Sequence, residues 1–257
     1  MPAVDLNADA GESFGPYTIG ADGEVIPLVT SVNIACGLHG GDPVIMRQTV
    51  RLAAASGTAV GAHPGYPDLQ GFGRRPMDVP AADLVQILLY QIGALAAIAA
   101  AEAVSLQHVK PHGALYAAAA TQPAVAAAVI EAVGTSGLPL VALSGSSWAA
   151  EARRAGLRVA EEVFIDRAYR ADGSLLPRRM AGALLTDPVG AAERAVELVR
   201  SGRVRAATGE WVGLRAETLC IHSDTPGAPV LARAVREALA GAGIQVAALG
   251  RWLFAKG

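Results

Sequence analysis

SVNIACGLHGGDPVIMRQTVRLAAASGTAVGAH, residues 31–63, reads as one complete strand–helix–strand unit. Val32–Cys36 and Ala59–His63 are short apolar runs with the length and composition of buried strands. Between them, Asp42-Pro43 sets a side-chain cap before a proline suited to the first helical turn. Gly57 supplies a left-handed stop after the alanine-rich helical stretch. Strands joined in this way lie parallel in one sheet.

The unit recurs outward in both directions. Further strands are expected at Val4–Asn7, His108–Lys110, Leu140–Leu143, Val159–Val163, Thr218–His222 and Ile244–Leu249. A second capped helix start falls at Asp187-Pro188, and further helix stops fall at Gly137, Gly156, Gly202 and Gly241. Seven or eight such units imply closure. The expected fold is α/β, a single-domain (β/α) barrel over residues 1–257, of the length of about 250 residues usual for such barrels. A doubly wound open sheet is the alternative.

Composition agrees. The chain has 257 residues, 52% of them hydrophobic, and a net charge of −2. That supplies a core and, without a basic block, argues against a dedicated nucleic-acid binder. Two cysteines, Cys36 and Cys220, exclude a disulfide framework and read as buried strand residues. The N-terminus has neither the basic nor the apolar region of a secretion signal. Residues 84–101, LVQILLYQIGALAAIAAA, are uncharged and nearly of spanning length, but Gln86, Gln91 and Gly93 interrupt them. They are expected to form a helix buried on most sides, at a subunit interface if the chain self-associates, and not a membrane span. A cytoplasmic location follows as an expectation.

The chemistry-capable residues cluster where these strands end. Asp5, Asn7, Asp9 and Glu12 follow the first strand, with His39 and Asp42 after the second and His63 and Asp68 after the third. Lys110 and His112 follow the fourth, Asp166 and Arg167 the sixth, and His222 and Asp224 the strand near Thr218. A parallel barrel opens all strand C-termini on one face and builds its active site there. Lys110 is one of only two lysines among 21 cationic residues. Where arginine would serve for surface charge, a lysine can also move a proton if its pKa is lowered.

Asp9, His39, His63, Lys110 and His112 are therefore the candidate catalytic acids and bases. Asn7, Glu12, Asn33, Arg74, Arg75, Asp166, Arg167 and His222 are the candidates for substrate binding. Arg74-Arg75 end a long loop, GAHPGYPDLQGFGRR, and could hold a carboxylate by paired hydrogen bonds. Asp9, His39, His63 and His112 could supply oxygen and nitrogen ligands to a divalent metal, although no fixed spacing marks them. The chain has no P-loop, no dinucleotide glycine motif, no nucleophile elbow and no H-E-x-x-H.

DLNADAGES (5–13), SVNIACGLHGGDP (31–43), GAHPGYPDLQGFGRR (61–75), VKPHGALY (109–116), EVFIDRAY (162–169) and CIHSDTP (220–226) together closely resemble the LamB/YcsF family. Gly40, Ala117, Ile165 and Ser223 stand where alanine, asparagine, alanine and glycine are usual. The resemblance implies a distorted TIM-like barrel related to the glycoside hydrolase and deacetylase barrels. It also implies ATP-dependent hydrolysis of 5-oxo-L-proline to L-glutamate, with ATP as co-substrate bound mainly by two partner subunits, PxpB and PxpC. A stand-alone metal-dependent amide hydrolase, or a non-catalytic subunit that positions the substrate, are the alternatives.

Overall fold

The computed structural model describes residues 2–255. Seven parallel strands form its centre: β1 (Ala3–Ala10), β2 (Ser31–Ala35), β3 (Ala59–His63), β4 (Leu106–Val109), β5 (Leu140–Leu143), β6 (Val159–Phe164) and β9 (Thr218–His222). β1 pairs with β2 on one side and β9 on the other, which closes the ring. The closed barrel expected from the repeating unit is present, and the open sheet is not.

An outer layer of helices links the strands. These are α2 (Pro43–Ser56), α3 (Ala81–Ala101), α4 (Gly113–Thr121), α5 (Pro123–Ser136), α6 (Ser147–Arg154), α7 (Pro188–Ser201) and α8 (Ala228–Gly241), with a short α1 (Asp22–Val25) after β1. Asp42 accepts from the backbone N–H groups of Val44 and Ile45, and Asp187 from those of Val189 and Gly190, so both expected caps form. The stop expected at Gly241 lies further on. α8 runs through Gly241, and Gly243 takes the positive φ, +73°.

Two features depart from the sequence reading. Ile244–Leu249 is not an eighth barrel strand. Only β10 (Gln245–Val246) pairs, with Ala3 and Val4 of β1, and the chain then turns into α9 (Leu249–Trp252). Burying Leu249 against Val141 and Ala160 at the strand N-termini rewards that turn, since it closes the barrel floor with an apolar side chain. The antiparallel pair β7 (Arg203–Arg205) and β8 (Trp211–Gly213), between α7 and β9, was not anticipated.

α3 is long and apolar enough to cross a membrane by length and composition, and 39% of its most apolar stretch is buried in the fold. It is covered along one face, not on most sides: Leu84, Leu88, Leu95 and Ala99 pack into the core, while Tyr90 is exposed. Gln91 lies on the covered face because its amide exchanges hydrogen bonds with the backbone N–H and C=O of Gly65, at 3.0 and 2.8 Å.

Strand alternation sorts the barrel into two layers. Val4, Leu6, Ala8 and Ala10 of β1 and Val32 and Ile34 of β2 pack outward into the apolar core shared with the helices. Asp5, Asn7, Asp9, Ser31 and Asn33 point inward and bond across the lumen. Gly61 of β3 is what admits His108: a Cβ there would collide with the imidazole ring.

Candidate active site

The lumen floor is a hydrogen-bonded network that sets the orientation of the groups above it. Asp5 accepts from Thr30 (2.7 Å), Ser31 (2.6 Å) and Thr218 (2.5 Å). Burial, opposed by these three hydroxyls, still pushes its carboxyl up to about 6. Gln107 donates to Nδ1 of His108 at 3.2 Å, so Nε2 of His108 carries the proton it donates to Asn33 Oδ1 at 2.6 Å. Burial, then the charges of Lys110 and His63, lower His108 to about 3, and it stays neutral. The amide of Asn33 is thereby turned to donate to Asn7 Oδ1 (2.7 Å) and Asp9 Oδ1 (2.8 Å).

Lys110 sits at the centre of the lumen just past β4. Its ammonium donates to Asp9 Oδ1 and lies 2.8 Å from both that oxygen and Glu162 Oε1, with Cys220 Sγ at 3.2 Å and Asn7 Oδ1 at 3.4 Å. Burial would pull Lys110 down, but Asp9, Cys220 and Glu162 outweigh it and hold the ammonium well above its usual range. The lowered pKa contemplated for Lys110 is thus not what its surroundings produce. Burial would likewise raise Asp9, and His63 and Lys110 outweigh it, so Asp9 stays a carboxylate.

Above this pair, three imidazoles close the mouth of the barrel. His63, ending β3, donates from Nδ1 to the Lys110 carbonyl at 2.7 Å; its Nε2 lies 3.0 Å from His112 Nδ1 and 3.4 Å from Asp9 Oδ2. His112, at the start of α4, donates from Nε2 to the Phe72 carbonyl at 2.8 Å. Phe72 adopts φ +56°, rare for an aromatic residue, and this turn sets the carbonyl over the imidazole. His39 stacks on His112 with ring centroids 3.8 Å apart and is fully buried. Burial first, then the neighbouring imidazoles, lower both His39 and His112 well below the usual histidine range. Glu12, 3.6 Å from His112 Nδ1, is raised well above its usual range by burial and by Asp9 and Asp224.

The loops approach these rings closely. A Cβ at Gly65 would come within 2.6 Å of His39 Nδ1, and one at Gly73 within 2.8 Å of both His39 and His112. Only glycine at both positions lets the long loop close down on the imidazoles.

The remaining candidates divide. His222 donates from Nδ1 to Asp166 Oδ2 at 2.9 Å, and its Nε2 lies 3.9 Å from Asp9 Oδ2, so both belong to the cluster. Arg74 reaches the rim, where it donates to Asp224 at 2.6 Å. Arg75 turns away to an ion pair with Asp68 inside its own loop and is 63% exposed. Arg167 is buried beside Asp166 and donates to the Leu176 carbonyl at 2.6 Å. The sequence reading missed Glu162, although VAEEVF places two acids in an apolar strand and alternation puts Glu162 on the side of Phe164. It also missed Arg178, which joins Arg74 on Asp224 at 3.2 Å across more than forty residues of sequence.

Glu12, His39, His63 and His112 could together hold a metal ion, because one ligand atom of each lies within 4.8 Å of the others. Asp9, Cys220 and His222 form a second such group.

The model of the LamB/YcsF family matches residues 4–253. The chain belongs to the LamB/YcsF family. Among relatives of this LamB/YcsF chain, the A subunit of 5-oxoprolinase from Syntrophobacter fumaroxidans is 54% identical over 249 residues, 96% of this chain and 98% of that one. The crystal structure of the lactam utilization protein from Thermus thermophilus superposes with a TM-score of 0.91 at 54% identity, covering 96% of this chain and 99% of that one. A GH20 catalytic module of the pneumococcal exo-β-D-N-acetylglucosaminidase StrH, at TM-score 0.53 and 10% identity over 93% of this chain and 82% of that one, shares the barrel fold alone.

Proposed function

We propose that this LamB/YcsF chain works in the cytoplasm, as one barrel domain, as the A subunit of a 5-oxoprolinase. The reaction is ATP + 5-oxo-L-proline + 2 H2O giving ADP, phosphate and L-glutamate. The observation that carries this is identity above 50% along nearly the whole chain to a protein named for that role. ATP is assigned to the partner subunits PxpB and PxpC, since this sequence has no phosphate-cradling P-loop.

The geometry supplies what a lactam opening needs. A five-membered amide is unreactive until its oxygen is activated, and phosphorylation from ATP is suited to that. Water then needs a base, a role that the Asp9 carboxylate beside His63 is suited to. Lys110 stays an ammonium and acts electrostatically, holding Asp9 fixed and opposing charge that builds on the activated carbon's oxygen. To Arg74 at the rim, bonded to Asp224, we assign the substrate carboxylate, for which it would exchange Asp224.

The test is 5-oxoproline-dependent ATP hydrolysis and glutamate release, measured with this chain alone and with both partners. Turnover is expected only from the complete set. Substrate-stimulated ATP hydrolysis by the isolated chain, or glutamate release without ATP, would overturn the division of labour.

A further inference from the structure

We propose that the point where Glu12, His39, His63 and His112 each offer a ligand atom, beside Asp9, binds one divalent transition-metal ion of the zinc class. The inference adds a cofactor to the site and stands whether or not the substrate assigned above is correct.

The hydrogen bonds orient the rings. A carbonyl oxygen only accepts, so His63 gives Nδ1–H to the Lys110 carbonyl and turns Nε2 into the group. His112 gives Nε2–H to the Phe72 carbonyl and turns Nδ1 into the group. These two nitrogens face each other at 3.0 Å. The carboxylate of Asp166 orients His222 in the same way, so its Nε2 turns toward Asp9 Oδ2, 3.9 Å away. Asp9 Oδ2 lies 3.4 Å from His63 Nε2 and Glu12 Oε1 lies 3.6 Å from His112 Nδ1, so imidazole nitrogens and carboxyl oxygens gather out of solvent.

Two buried carboxyl groups among imidazole nitrogens favour a positive centre within the group. Lys110 does not provide one, because its ammonium is spent on the other oxygen of Asp9 and on Glu162. An independent observation points the same way. His39 is fully buried and neither of its ring nitrogens has a hydrogen-bond partner, yet its ring is stacked on His112 within the same group. Backbone carbonyls and a carboxylate that fix imidazole tautomers are the usual outer support of metal-binding histidines. Imidazole nitrogens with carboxylate oxygens suit zinc, cobalt or nickel better than magnesium or calcium, which prefer oxygen alone. The neighbouring group of Asp9, Cys220 and His222 is excluded by charge, since the Lys110 ammonium lies 3.2 Å from Cys220 Sγ.

The test uses the chain alone, stripped with a chelator and titrated with Co2+ while its visible absorption is followed, with Zn2+ competition and elemental analysis for stoichiometry. One ion per chain is expected, without a sulfur-to-cobalt charge-transfer band. His63→Ala and His112→Ala should each weaken Co2+ binding by about 100-fold or more, the upper end of what even outer-support changes cost. Cys220→Ser should leave it unchanged. Absence of stoichiometric binding by the wild-type chain overturns the proposal. So does unaltered affinity in His63→Ala or His112→Ala proteins that retain native circular dichroism, or a thiolate band lost in Cys220→Ser. Because neither 5-oxoproline nor ATP enters this measurement, its failure is separate from failure of the proposed reaction.

Discussion

Along β1, Val4, Leu6, Ala8 and Ala10 pack against the surrounding helices, while the residues between them, Asp5, Asn7 and Asp9, bond across the lumen. The same alternation runs through β2 and β6. TIM barrels usually fill their interior with branched apolar side chains. Here the apolar energy comes from the outer sheet–helix layer, and the lumen is a polar network sealed below by Leu249. The outward face is therefore where burial stabilises the fold. The inward face is where hydrogen bonds and charge pairs select one arrangement of the reactive groups.

Lys110→Met tests that contrast most severely. From sequence alone a polar residue at a strand end looks dispensable to the fold. In the structure its removal leaves Asp9 and Glu162 buried without their cation, a loss expected to cost about 3–5 kcal/mol. Turnover should fall about 10²-fold or more as well. Adding Glu162→Gln should restore part of the stability and none of the turnover. Leu6→Ala, on the outward face, should cost about 2–5 kcal/mol and leave the turnover of folded molecules intact. Urea titrations and glutamate release on the same samples check both. A Lys110→Met protein as stable as wild type would mean the lumen charges are not coupled as described.

Acid stability sharpens the contrast within the lumen. His108 is lowered from 6.5 to about 3, so the unfolded chain takes up a proton that the folded one refuses. Its contribution is complete above pH 6.5 and is lost as pH falls toward 3, by up to about 5 kcal/mol. Asp5 acts in the opposite sense. Raised from 3.8 to about 6, it contributes below pH 3.8 and loses about 3 kcal/mol as pH rises through 6. His108→Gln should flatten the acid limb of the stability curve, and Asp5→Asn the decline between pH 4 and 6. Unchanged curves would remove burial as the cause.

The smallest effects are expected at the rim. Arg74→Ala should raise KM for 5-oxoproline by one to two decades, since a charge-assisted bond is worth about 1.5–3 kcal/mol. Arg75→Ala, whose exposed guanidinium pairs with Asp68 inside its own loop, should change neither KM nor turnover. Equal effects of both substitutions would return the two arginines to one shared role.

The sequence determined the barrel, because strands, capped helix starts and glycine stops are local and repeat along the chain. It also determined which loops carry reactive residues, and so brought Asp9, His39, His63, Lys110 and His112 onto one face. It could not separate Arg74 from Arg75, which are adjacent in the chain and turn to different partners. Nor could it anticipate Glu162 beneath Lys110 or Arg178 on Asp224, since those pairings join distant segments and leave no spacing to read. Tertiary structure alone decided the protonation states. Whether Lys110 is a proton carrier or a fixed ammonium depends on two carboxylates brought to 2.8 Å by strands far apart in sequence. The histidine tautomers likewise depend on carbonyls that only the folded loops put in place, because charge and hydrogen bonding act through space and not along the chain.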